Sequence, residues 1–248
     1  MINSIDDVIK RQTQIAEFAQ KHKARFGYFC SLYLEMTKTV KRYIAEGKFD
    51  DGARMEKLVI VFAKRYLDAF DNWQAHKPTM QSWQKALDET KRNNITVMQH
   101  LLCGINAHIN LDLGIAAAQT CPGANINALK NDFAKINDVI TSLVNKVQDK
   151  LSKICWPMKL IDKIGKNKDE QLANFSIFFA REAAWKVATD LAQLKPEEHP
   201  KYIANLDNKT AFLAKKIINP GVISNAVLKP VKWFEPSDAG KIIQILKS

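Results

Sequence analysis

His108 and Asp112 stand four residues apart inside Gln99–Gly114, the most apolar helical stretch of the chain. At about 100° per residue, an α-helix places them about 40° apart on one face. Gly104 falls one turn before His108 on that face and leaves a gap in the side-chain wall. A helical His-x-x-x-Asp pair is half of a metal site. Imidazole and carboxylate then point the same way, and both suit zinc, iron or manganese. Asn106 and Asn110 form a second polar pair at the same spacing. Buried polar groups need partners, so four of them in one apolar helix mark a site or a packing register. The competing reading is a His/Asp hydrogen bond that holds two helices together.

Other segments could complete such a site. In Leu58–Trp73, Arg65 and Asp68 stand at i, i+3 after an apolar run too long for a single stripe, so that helix is expected in the interior, with both charges turned inward towards a site or paired with each other as a structural ion pair. Asp138, Ser142, Asn145 and Asp149 make a polar line at helical spacing, which fits a solvated face or a cavity wall. Near residue 180, Arg181 and Trp185 are one turn apart and could stack. We take His108, Asp112 and Arg65 as candidate catalytic residues, with His108 and Asp112 as metal ligands. Asn106, Asn110, Asp68, Asp149, Arg181 and Trp185 are candidates for ligand contact.

The elements that must position these groups are helical almost end to end. Ser4, with Asp6 and Asp7 behind it, opens a first helix to about Lys23. Gly47 closes a second. Asp51 opens a third, ended by Pro78. Thr79 is expected to cap a short fourth. A fifth runs from about Ile95 to Thr120, where Pro122-Gly123 ends it. A long helix is expected over about 126–154, another over 169–194, and one from Pro196 to about Ile218. Asn219-Pro220-Gly221 breaks the pattern, and 222–248 reads as a tail of short helices. This makes one all-α domain over 1–248, a multi-helix bundle of about eight main helices.

Composition agrees. Only 9 Gly and 8 Pro in 248 residues leave too few turn-formers for a sandwich, barrel or propeller. No Gly-rich phosphate loop, G-x-S-x-G elbow, H-E-x-x-H or Cys/His zinc pattern occurs. No unbroken run of about 18 apolar residues predicts a membrane span. The polar, acidic start lacks the form of a cleavable signal, so a cytoplasmic location is expected, with signal-independent secretion the other route. Cys30, Cys103, Cys121 and Cys155 are widely spaced and read as reduced thiols. Of the net charge of +11, residues 121–168 carry nine Lys against four Asp and no Arg. Lys146, Lys150 and Lys153 form a helical stripe, expected to be exposed and to allow weak contact with an anionic surface. Specific nucleic-acid readout would call for Arg and stacking aromatics, and is not expected.

The run Gly104-Ile-Asn-Ala-His-Ile-Asn-Leu-Asp-Leu resembles the signature of a bacterial family of uncharacterised helical proteins. Further landmarks are Phe62-Ala-x-Arg-Tyr-Leu-x-Ala, the pair Ser82-Trp83, Asp132-Phe-x-x-Ile-Asn and Ala180-Arg-x-x-Ala-Trp. The resemblance covers about residues 25–190. It implies the helical fold and marks Arg65, Asn106, His108, Asp112, Asp132, Asn137 and Arg181 as landmarks, and it implies no activity. The His-x-x-x-Asp-Leu core is also similar to the helical zinc-dependent phospholipase C and P1 nuclease group. This chain departs from that group, with five His and no second His-x-x-x-His/Glu pair.

Three functional expectations follow. The first is a metal-assisted hydrolase with a buried His108/Asp112 site and one divalent metal. The second is a helical pocket for an apolar or lipid-like small molecule, with His108 and Arg181 as polar anchors. The third is an interaction protein whose polar core fixes packing.

Overall fold

A computed structural model describes residues 2–136, 139, 150, 154, 169–221, 228 and 231–247, with the backbone alone for 169–179. Among these residues every regular element is a helix. Helix α1 (Ile5–Lys21) begins at a reciprocal cap, in which Asp7 N–H donates to Ser4 Oγ and Ser4 N–H to Asp7 Oδ2, both at 3.1 Å. Helix α2 (Gly27–Ala45) returns along it. Helix α3 (Gly52–Gln74) is capped by Asp51, which accepts from Arg54 N–H at 2.9 Å.

Helix α4 (Gln81–Glu89) is capped from elsewhere in the chain. Thr79 was the expected cap, but Met80 occupies that position and offers no oxygen. Asp207, buried on another helix, accepts from Gln81 N–H at 2.7 Å and Ser82 N–H at 2.9 Å. A carboxylate at a helix N-terminus satisfies orphan donors and meets the positive end of the dipole.

The central rod spans Val97–Thr120. It comprises α5 (Val97–Asn106), a π-helical segment (Ala107–Leu113) and α6 (Gly114–Thr120). Its first turn is held by the Thr96/Gln99 capping box and by Glu235, which accepts from Val97 N–H at 2.9 Å. The rod is long and apolar enough to pass a length-and-composition test for a membrane span, but it is a core helix of the bundle, in keeping with the expectation of no span. Of its most apolar window, 78% is buried inside the bundle, as a core helix requires. A 3-10 helix (Gly123–Leu129) replaces the expected start of the long helix, and helical backbone follows through residue 136. Helix α7 (Asp169–Gln193), a 3-10 turn (Pro196–Glu198), α8 (His199–Ile218) and α9 (Ala239–Lys247) complete the description.

One core cluster packs on the rod's first turns at Val97 and Leu101, and two more flank the rod from Cys103 onward. One is rich in aromatics and holds Phe29, Tyr33, Tyr66, Phe70, Trp83 and Leu111. The other holds Met55, Leu58, Leu113, Leu129, Phe133 and Ala184. The rod's glycines are the places of closest approach. A Cβ on Gly104 would sit 2.5 Å from the Phe29 ring, and one on Gly114 would sit 2.6 Å from the Ala184 carbonyl oxygen. Cys30, Cys103 and Cys121 are buried free thiols, while Cys155 lies outside the described residues.

Candidate ligand cleft

Asp112 is 1% exposed, on the π-helical segment. Its two oxygens are held by two different helices. Arg65 Nε on α3 donates to Oδ1 at 2.7 Å, and Trp83 Nε1 on α4 donates to Oδ2 at 2.7 Å. Short charge-assisted bonds to a buried carboxylate fix both donors tightly. Breaking such a buried pair from one side typically costs about 3–5 kcal/mol. Arg65 therefore pairs with the rod rather than with its neighbour Asp68.

His108 lies beside this carboxylate without bonding to it, its Nδ1 being 3.6 Å from Asp112 Oδ2. Its ring is enclosed by aromatics. Phe62 stacks on it at 3.6 Å and 8°, Tyr33 meets it edge-on at 4.2 Å, and Phe29 stands 5.6 Å away. Burial holds the imidazole below its ordinary pKa, against the upward pull of Asp112, so the ring is neutral at pH 7. Neither ring nitrogen has a hydrogen-bond partner among the described residues, and the same is true of the Tyr33 and Tyr66 hydroxyls. Burial pushes both phenols well above their usual range.

Above Asp112 opens a cleft of about 380 Å³. One wall is α3, which contributes Arg65, Asp68, Ala69 and Asn72 on successive turns. The other wall is the α3–α4 connection and α4, with Pro78, Thr79, Met80 and Trp83, and Asp112 forms the floor. Arg65 keeps 18% of its side chain exposed. Its Nε is committed to Asp112, and its terminal nitrogens make no hydrogen bond among the described residues. Asp68 stands exposed at the rim. The arrangement offers a hydrogen-bonding fork, a carboxylate, an amide and an indole around one opening.

The structure thus brings Arg65, Asp68 and Asp112 together, with His108 behind Asp112 in the core. Asn106 and Asn110 stand elsewhere. Asn106 Nδ2 donates to Thr210 O of α8 at 2.9 Å, and Asn110 Nδ2 to Asn106 Oδ1 at 2.9 Å, a chain that fastens the rod to α8. Arg181 is buried on α7, donates to Phe133 O at 2.6 Å and lies 5.5 Å over the Phe133 ring centroid. The Trp185 ring packs 5.0 Å from the same ring. Neither residue lines the cleft. Asp132, wholly buried, accepts from Asp50 N–H, Asp51 N–H and Arg54, and so anchors the start of α3. Asp149, with Asn137, Asp138, Lys146 and Lys153, lies outside the described residues. Lys150, expected to stand free in a solvated stripe, is partly buried and donates to Leu246 O of α9 at 2.9 Å.

Sequence reasoning missed Trp83, Phe62, Tyr33 and Asn72 as site residues. For Trp83 a signal existed, a lone indole in the short helix Gln81–Glu89, since a buried indole N–H needs an acceptor. Among the described residues no group of three His, Cys, Asp or Glu is placed to hold a metal.

The model of a family of unknown function (DUF5995) matches residues 5–220, which include every residue of the cleft. No curated protein and no solved structure matches the chain.

Proposed function

The chain belongs to that family of unknown function, and from this premise we propose that it is a small-molecule-binding protein whose site is the Arg65/Asp68/Trp83 cleft. One observation carries the reading. A buried carboxylate, Asp112, spends both oxygens on orienting a guanidinium and an indole at the floor of an open cleft. Charged groups held rigid at the bottom of a concave site set ligand orientation, and the flat apolar surface beside them supplies contact area. Arg65 offers donors to a carboxylate or phosphate. Asp68, one turn further along α3, and Asn72 accept from an amine or hydroxyl. Met80, Pro78 and Trp83 take the carbon skeleton. The chemistry matches a small amino- or hydroxy-carboxylate better than the lipid-like ligand expected from sequence, because the lining is mixed rather than apolar.

The test is calorimetric titration with a panel of amino- and hydroxy-carboxylates, comparing wild type with Asp68→Asn. One member should bind, and the rim variant should weaken it about tenfold, the equivalent of ~1.4 kcal/mol for a hydrogen bond to a charged group. A panel with no binder, or equal affinity in both proteins, would overturn the reading.

A second reading, the metal-assisted hydrolase similar to the zinc phospholipase C group, is favoured by one observation. His108 is a neutral imidazole with both nitrogens unbonded among the described residues, the form that ligates metals. Elemental analysis of protein refolded with Zn²⁺, Fe²⁺ or Mn²⁺ tests it. Stoichiometric metal lost in His108→Ala supports it, and substoichiometric metal in wild type refutes it.

A further inference from the structure

Away from the cleft, the edge formed by α8, α5 and the turn at residues 231–234 has an unusual surface. Phe212 and Leu213 on α8 are 57% and 46% exposed, Leu102 on α5 is 39% exposed, and Trp233 and Phe234 are 78% and 52% exposed. Trp233 is the most exposed large apolar side chain among the described residues. Tertiary contacts join the elements that carry these residues. Asn106 pairs with Thr210, and Gln99 Nε2 donates to Ile217 O and Ile218 O at 3.0 and 3.1 Å. This antiparallel register sets Leu102 and Leu213 on the same seam. Glu235, next to Phe234, accepts from Val97 N–H two residues before Gln99, so the Trp233-Phe234 turn abuts the same end of α5.

The exposed charges on the α8 part of this edge are all lysine. From residue 208 to 234 the chain has Lys209, Lys215, Lys216, Lys229 and Lys232 and no Asp or Glu. Lys209, Lys215 and Lys216 are exposed, and Lys216 Nζ lies 5.4 Å over the Phe212 ring centroid. Lys232 is paired with Glu235 at 3.1 Å. Two copies of such a face would repel, so a second molecule of this +11 chain is a poor occupant. Tryptophan and phenylalanine interleaved with lysine match the headgroup layer of an anionic bilayer. There the rings sit at the acyl boundary and the ammonium groups reach the phosphates.

We propose that the edge carrying Leu102, Phe212, Leu213, Trp233 and Phe234, with Lys209, Lys215 and Lys216, is a docking surface for an anionic lipid bilayer. Apolar insertion and lysine attraction each supply part of the binding, because a single weak anchor holds a protein only transiently.

The experiment is sedimentation of the full chain with phosphatidylcholine vesicles and with phosphatidylcholine/phosphatidylserine vesicles, across a salt series. Wild type should bind the mixed vesicles, release as salt rises, and ignore the neutral ones. Lys215→Gln/Lys216→Gln should weaken binding about fivefold for each lysine, the fold-change equivalent of ~1 kcal/mol. Trp233→Ser/Phe234→Ser and Phe212→Ser/Leu213→Ser should each weaken it tenfold or more, by the order of a buried ring's transfer energy. All of these residues are exposed, and unchanged circular dichroism confirms folding. Absence of binding to mixed vesicles at low salt, equal binding to both vesicle types, or wild-type binding by the variants would each overturn the proposal. Binding to polyglutamate or RNA without vesicle binding would assign the face to another polyanion and would likewise overturn it.

Discussion

At the residue scale, the account turns on Asp112 and its two donors. Trp83→Phe keeps an aromatic ring but removes the indole N–H that reaches Oδ2, together with part of the buried ring system. It leaves a buried carboxylate oxygen short of a partner, so stability should fall by about 1–3 kcal/mol, read as a lower Tm. Wild-type stability in that variant would mean that water or Arg65 replaces the bond. Protonation gives a second test, at His100. Burial, aided by the nearby positive charge of Arg25, depresses its pKa to about 3 from an ordinary 6.5. The folded state therefore holds it neutral while the unfolded chain takes up a proton below about 6.5. Its contribution to stability is complete above that pH and is lost progressively as pH falls towards 3. His100→Phe should flatten the Tm profile between about pH 6.5 and 5, before the carboxylates dominate. An unchanged slope would show that His100 is charged or exposed in the folded protein. His108 has the same sign of shift and adds to the slope that remains. Residue-level chemistry was partly legible in the sequence. The polar crowding in an apolar helix pointed at His108 and Asp112, and an apolar run pointed at Arg65. For Trp83 only the need for an acceptor was legible; the acceptor itself, Asp112, is 29 residues away, and helical spacing describes only neighbours on one helix.

At the element scale, the cleft depends on α4 being held at its angle, and Asp207 holds it. Asp207→Ala should free two backbone N–H groups, lower stability by about 0.5–2 kcal/mol and weaken ligand binding together with it. A loss of stability with unchanged binding would show that α4 keeps its place without the cap. The rod's contact with α7 is equally testable. Gly114→Ala would press a methyl group against the Ala184 carbonyl, which is backbone and cannot rotate away, so about 1–3 kcal/mol of destabilisation is expected on thermal melting. Helix existence and most starts were readable, since Ser4, Asp51 and the breakers at Pro78 and Pro122 act locally. The cap of α4 was not readable, because Thr79 looked adequate and the true acceptor comes from α8. The π geometry of Ala107–Leu113 was also hidden, because a helical hydrophobic period does not separate α from π turns over seven residues.

At the scale of the whole molecule, one apolar rod organises everything else. It carries Asp112 towards the cleft on one side and, through Gln99, Asn106 and Val97, ties down α8 and the turn before α9 on the other. The proposed ligand site and the proposed bilayer-facing edge thus share a support without sharing residues. The most direct measurement is a ¹H–¹⁵N spectrum of labelled protein, read at the five tryptophan indole signals, with Trp83 assigned through Trp83→Phe. On titration with the amino- and hydroxy-carboxylate panel, the Trp83 indole and Arg65 Nε–H signals should move together, saturably, with one member. Signals that stay still with every member, or shifts confined to tryptophans other than Trp83, would contradict a ligand site above Asp112.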